Sequence, residues 1–137
     1  MNRKLIVTHH APDLDAIGAS WLLNTFDAQH YGNAKFAFVN PGSTIKSSEV
    51  EKLEIDTDDV THVDTGLGKF DHHQPERGHD HSSAASLVFE YLCQIHPDLE
   101  DDHALDILVD FITEIDHFGE IYWPEADHDR YNFMLHE

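Results

Sequence analysis

The chain has one cysteine, Cys93, in 137 residues. That excludes a disulfide framework within the chain and leaves no thiolate set for a structural zinc site, and it fits a reducing compartment such as the cytoplasm. Long hydrophobic runs are also missing. The apolar stretch nearest the N-terminus, Leu5-Ile6-Val7, is far too short for the core of a signal peptide, and nothing approaches the length of a membrane span. Basic residues are scarce: 8 Lys and Arg stand against 27 Asp and Glu, a formal net charge of −19. Beyond Arg77 only Arg130 is basic. Such a surface argues against binding extended duplex nucleic acid, which needs cations along the backbone track. It leaves room for a small phosphorylated ligand, because bound divalent cations invert the local charge.

What is present describes a folded globular protein, with 40% hydrophobic and 10% aromatic residues, of a length expected for one domain over 1–137. Residues 4–9 read as a short buried strand. A helix is expected over 13–26, with Leu14, Ile17, Trp21, Leu22 and Phe26 at helical spacing. Residues 35–39 read as a second strand, Asn40-Pro41-Gly42-Ser43 as a turn, 47–53 as a short helix and 60–63 as a third strand running into Asp64-Thr65-Gly66. Ser82 or Ser83 is expected to cap a helix ending at Ile95, before Pro97. Its apolar face is Ala84, Leu87, Val88, Tyr91, Leu92 and Ile95. Asp98 is the expected cap of the next helix, whose inner face is Leu105, Leu108, Phe111, Ile112 and Ile115. Pro124 is expected to open a further helix within 120–136. Trp21, Phe26, Phe89, Phe111 and Cys93 are assigned to the core. Strands alternating with helices predict an α/β domain, a mainly parallel sheet with helices on both faces.

In such a sheet ligands bind at the carboxyl ends of the strands. The histidine and aspartate clusters fall there: His9, Asp13 and Asp15 after the first strand, Asp64 after the third, then Asp71-His72-His73, with Asp116 after the last long helix. Imidazole and carboxylate together suit Mn²⁺, Co²⁺, Fe²⁺ or Zn²⁺, whereas an all-oxygen set favours Mg²⁺ or Ca²⁺. Six ligands with one bridge match two octahedral ions ~4 Å apart, whose open positions take water and substrate oxygens. With 13 histidines in the chain, isolated His–Asp pairs carry little weight; the conjunction carries the argument.

The run His9-His10-Ala11-Pro12-Asp13-Leu14-Asp15-Ala16-Ile17-Gly18 resembles the first motif of the DHH phosphoesterase superfamily. His62-Val63-Asp64 is similar to the second, Asp71-His72-His73 to the third, and Asp116 falls where the fourth places an aspartate, with Asp110 the alternative. Ser82-Ser83-Ala84-Ala85-Ser86-Leu87-Val88 resembles the helix after the third motif. Within the superfamily the pattern is similar to MYG-like and oligoribonuclease-like subgroups. The chain departs from it at Leu14, often glycine, and at His117-Phe118-Gly119, where threonine and glycine usually follow. No counterpart of the superfamily's C-terminal substrate-binding domain is recognisable.

The resemblance implies a catalytic domain with two divalent ions, Mn²⁺ foremost. His9, Asp13 and Asp64 would hold one, and Asp15, Asp64, His72 and Asp116 the other, with Asp64 bridging. Asp64 and His73 become the catalytic candidates, His73 meeting substrate as a phosphate contact or proton donor. Asp71 is expected behind the ligands, orienting His72. Lys69 and Arg77 are candidate phosphate contacts, as are His79 and His81; His10 is read as a neighbour and His117 as a possible site residue. The implied activity is a metal-dependent phosphoesterase acting on a small nucleotide or short oligonucleotide. The alternatives are a metal-binding sensor or assembly module without turnover, or an inactive fragment of a larger enzyme. Exact substrate and oligomeric state are left open.

Overall fold

A computed structural model describes residues 2–77, 80–124 and 127. Three parallel strands, β1 (Leu5–His9), β2 (Lys35–Val39) and β3 (Val60–His62), form a sheet in the order β2-β1-β3. The helices are α1 (Leu14–Phe26), α2 (Ala28–Tyr31), α3 (Ser47–Lys52), α4 (Ala84–Ile95) and α5 (His103–Asp116). None of the described helices is long and apolar enough to cross a membrane. The expected α/β class is therefore present, built on a small sheet.

β1 is the central strand, and all five of its residues are buried. A strand covered on both faces reads as a continuous apolar run, as Leu5-Ile6-Val7 does. Ile6 joins Ala19, Leu22, Leu23, Ala85, Val88, Leu92, Val109 and Ile112 in the larger core, so α1, α4 and α5 pack on that face. Leu5 and Val7 point the other way, toward Val39 and Val50 of α3. Burying a Leu or Ile side chain stabilises by about 1.5–3 kcal/mol. This two-sided packing is what holds the end of β1, and His9 with it, in place.

Helix ends follow their local chemistry. The Asp13 side chain accepts from Ala16 N at 2.9 Å and starts α1. Ser83, the second of the two candidate caps, starts α4: its Oγ accepts from Ser86 N while Ser86 Oγ accepts from Ser83 N. The Ser83 hydroxyl also meets Thr113 Oγ1 of α5 at 2.7 Å, pinning α4 to α5.

Three expectations are corrected. Asp98 caps no long helix: Pro97–Asp101 form a 3-10 turn, and Asp102 caps α5 by accepting from Leu105 N. The inner face of α5 is Leu105, Val109, Ile112, Thr113 and Ile115, whereas Leu108 and Phe111 are each 36% exposed. The ring of Phe111 instead lies against Trp123. On α1 the buried side is Asp15, Ala16, Gly18, Ala19, Ser20, Leu22 and Leu23, leaving Ile17 and Trp21 outside. The physical reason is close approach. A Cβ on Gly18 would stand 2.7 Å from Ile112 Cδ1, so α1 meets α5 through this glycine while Ile17 and Trp21 lie off the contact. With Phe36 and Phe38 of the edge strand, Ile17 and Trp21 border an open apolar groove of about 300 Å³. The helix expected within 120–136 falls largely outside the described residues; a 3-10 turn, Gly119–Tyr122, precedes it.

The α1 register predicts a contrast. Leu22→Ala should cost about 2–5 kcal/mol by leaving a cavity, whereas Ile17→Ala, an exposed position, should cost under about 1 kcal/mol. Urea denaturation checks this; equal losses at both positions would overturn the register.

Candidate metal centre

Four segments bring their polar side chains to the carboxyl ends of β1 and β3. His9 is the last residue of β1, and Asp13 and Asp15 open α1. Asp64 follows β3 with φ at +56°, a left-handed conformation that costs a non-glycine residue energy and that functional sites often retain. Asp71-His72-His73 close the loop after Asp64, and Asp116 is the last residue of α5.

The distances bring these residues together. His9 Nε2 lies 3.1 Å from Asp64 Oδ2 and 3.8 Å from Asp13 Oδ1. His72 Nε2 lies 3.1 Å from Asp116 Oδ2, 3.5 Å from Asp64 Oδ1 and 3.6 Å from Asp15 Oδ2. Asp64 thus presents one oxygen to the His9 side and the other to the His72 side, the disposition a bridging carboxylate requires. His9, Asp13 and Asp64 can offer three ligand atoms to one ion, and so can Asp64, His72 and His73. Asp116 rather than Asp110 joins the cluster; Asp110 sits on the exposed side of α5.

Two buried atoms carry the strongest chemical signal. Asp64 Oδ1 and His72 Nε2 are buried and make no well-formed hydrogen bond; they lie 3.5 Å from one another, with Asp116 Oδ2 3.1 Å from the nitrogen. A buried polar atom without a partner costs about 1–3 kcal/mol, and more when charged. Here an acceptor and an imidazole nitrogen face one another among further carboxylates, a donor set that fits a divalent cation.

His9 is oriented for such a role. Its Nδ1 lies 3.0 Å from the carbonyl of His10, which can only accept, so in the neutral ring Nδ1 carries the proton and Nε2, 3.1 Å from Asp64 Oδ2, has the lone pair that a cation could take. Asp71 does sit behind the ligands, but differently than expected. Its Oδ1 takes the backbone N–H of His72 and, at 2.6 Å, Nδ1 of His73; its Oδ2 takes Leu67 N. The ring that it orients is His73, half open to solvent, with Nε2 left free of that bond.

Asp15 plays two roles. Its oxygens accept from Ala84 N and Ala85 N, each at 2.8 Å, at the N-terminus of α4. Each oxygen keeps a second lone pair that a cation can use.

Charge is tightly coupled here. Burial, with Asp64 and Asp116 nearby, pushes the Asp15 carboxyl up to about 8 despite the two amides. Burial raises Asp64 as well. Burial pulls the His72 imidazole down, but Asp116, Asp64 and Asp15 outweigh it and lift the group to about 10. Burial would raise Asp71, yet the His73 and Leu67 hydrogen bonds win and hold it at about 2.

The candidate phosphate contacts are engaged elsewhere. Arg77 Nη1 donates to the carbonyl of Asp71 at 2.7 Å, bracing the loop. Lys69 lies over the rings of Tyr91 and Phe70, at 4.1 and 4.9 Å from their centroids, in a pocket shared with Tyr31, Thr61 and His62. His10 is exposed and stacks on Phe38. His81 is exposed beside His117. His79 lies outside the described residues. His117, whose role the sequence left open, stands against Asp116 and His72.

The sign of the pH response follows from Asp15 and His72. Both hold protons in the metal-free fold over a range where the unfolded chain has released them. The metal-free fold therefore loses stability as pH rises from about 4 toward 10. A cation displaces those protons and removes the loss. The gap in melting temperature between Mn²⁺-loaded and chelator-treated protein should widen from pH 5 to pH 8. Differential scanning fluorimetry checks this, and a gap that narrows would contradict the assigned cluster.

Compared with known proteins, the chain matches no family model, no curated protein and no solved structure.

Proposed function

We propose that this chain is a two-metal phosphoesterase, using Mn²⁺ or a similar divalent ion to hydrolyse a small phosphodiester or phosphoanhydride. The observation that carries the reading is the pair of unpartnered buried atoms, Asp64 Oδ1 and His72 Nε2, set between His9–Asp13 on one side and Asp15–Asp116 on the other. The ordered resemblance to the DHH motifs supports it independently. His9, Asp13 and Asp64 would hold one ion; Asp64, His72 and Asp116, backed by Asp15, would hold the second. Bound there, such ions activate a water for attack and neutralise charge on the phosphoryl group.

The chain's own residues supply the rest. The Asp64 carboxylate spans both halves of the cluster and ties the two ligand groups to one backbone position. Asp15, anchored on α4, brings a third carboxylate to the second group. His73 is held by the Asp71 carboxylate through Nδ1, and its pKa is raised chiefly by that hydrogen bond. A protonated imidazole in that place can bind a phosphate oxygen or give a proton to the leaving group. The substrate class that best fits an acidic chain is a nucleotide or short oligonucleotide whose charge the ions meet directly.

With Mn²⁺ supplied, the protein should release product from a chromogenic phosphodiester or a dinucleotide, and elemental analysis should give close to two ions per chain. Asp64→Ala should lose metal and turnover together. His73→Ala should keep its metal and lose about 10²-fold or more in kcat. Metal uptake without any phosphoester cleavage would replace the enzyme by a metal-binding module. Full activity in Asp64→Ala would overturn the bridge.

A further inference from the structure

We infer that His117 is a metal ligand of this centre, giving its second position two imidazoles and a preference for Zn²⁺ or Co²⁺ over Mn²⁺. The inference rests on the two-metal reading and extends it to a residue outside the ligand set that the DHH resemblance implies. One ligand atom from each of His72, Asp116 and His117 lies within 4.8 Å of the other two. The orientation of the His117 ring supplies the second observation. Its Nε2 sits 2.6 Å from the carbonyl oxygen of Ser82. A carbonyl only accepts, so Nε2 carries the proton and Nδ1 of the neutral ring keeps the lone pair. That is the arrangement found for ligating histidines, where the far nitrogen donates to a backbone carbonyl and so fixes tautomer and ring angle. His9 shows the same device with its nitrogens exchanged, Nδ1 on the carbonyl of His10 and Nε2 toward Asp64.

His72 supplies the third observation. Its Nε2 is buried without a well-formed hydrogen bond and lies 3.1 Å from Asp116 Oδ2, so one imidazole nitrogen already points at this carboxylate. The backbone delivers His117 there because it closes α5, its N–H accepted by Thr113 O. His81 extends the row outward, its ring 4.7 Å from that of His117, and is exposed.

The consequence is an asymmetric pair of positions. His9, Asp13 and Asp64 give one nitrogen and two carboxylates. Asp64, His72, Asp116 and His117, with Asp15 behind them, give two nitrogens among three carboxylates. Added imidazole shifts selectivity toward Zn²⁺ and Co²⁺, whereas carboxylate and water suit Mn²⁺.

The test is metal binding, read without turnover. Wild type and His117→Ala are titrated with Co²⁺, following both stoichiometry and the visible d–d spectrum, and then with Mn²⁺. His81→Ala serves as the control for the outer histidine. Disturbing only the partner of a ligating histidine costs about 10–100-fold in affinity. Losing the ligand itself should weaken one of two Co²⁺ ions by about 100-fold or more, change the spectrum, and leave the other ion and the Mn²⁺ sites much less affected. Millimolar imidazole should restore the spectrum in His117→Ala, and His81→Ala should bind like wild type. Unchanged Co²⁺ affinity and spectrum in His117→Ala, with wild type still binding two ions, would overturn the inference and leave the two-metal reading standing. A wild-type chain that binds no metal would overturn both.

Discussion

The clamp between Asp15 and the N-terminus of α4 holds the rest of the arrangement together. One carboxylate, 2% exposed, accepts from Ala84 N and Ala85 N, about 70 residues away in sequence. Those are helix N–H groups with no partner inside their own helix, and they would be costly to bury unmet. Asp15 meets them while sitting in the first turn of α1, so satisfying α4 fixes α1, and with it Asp13 and the end of β1. Ser83 and Thr113 extend the same polar seam to α5, which carries Asp116 and His117. The fold and the cluster are thus held by one chain of hydrogen bonds.

That economy has a cost in charge. Asp13, Asp15, Asp64 and Asp116 converge with almost no cation nearby, in a chain already at −19. Burial and the neighbouring carboxylates raise the Asp15 carboxyl, and those carboxylates raise the His72 imidazole against burial, so both groups favour holding protons when no cation is beside them. Two unpartnered buried atoms persist even so. A structural core of this size would resolve the conflict by replacing one aspartate with an apolar residue, since buried charges are rarely worth their desolvation. Retaining all of them makes sense if something outside the chain supplies the positive charge. The Asp71–His73 pair beside the cluster fits the same logic, a carboxylate held at about 2 serving to place an imidazole at the mouth.

Much of this was readable from residue order. β1 announced itself as Leu-Ile-Val, the limits of α1 and α4 followed from Asp13, Ser83 and Pro97, and the cluster members were visible as histidines and aspartates at strand ends. Each of those signals is local: a cap, a period, a turn. The misreadings share the opposite property. The inner faces of α1 and α5 were assigned to the largest apolar residues, but Gly18 lets Ile112 come so close that Trp21 and Phe111 have no room inside. Asp98 read as the cap of the next helix, but the 3-10 turn Pro97–Asp101 takes it in and leaves Asp102 to start α5.

The sequence by itself determined the α/β class, the order of elements and the set of residues able to ligate, because periodicity, capping and side-chain chemistry act within a few residues. Tertiary structure alone decided which of those residues meet. It brought in Asp116 instead of Asp110, turned Lys69 onto Tyr91 and Arg77 onto a backbone carbonyl, and set the His117 ring against the carbonyl of Ser82. Those outcomes depend on contacts across 6 to 44 residues of sequence, where helix crossings and the few available hydrogen-bond acceptors set each side chain's direction.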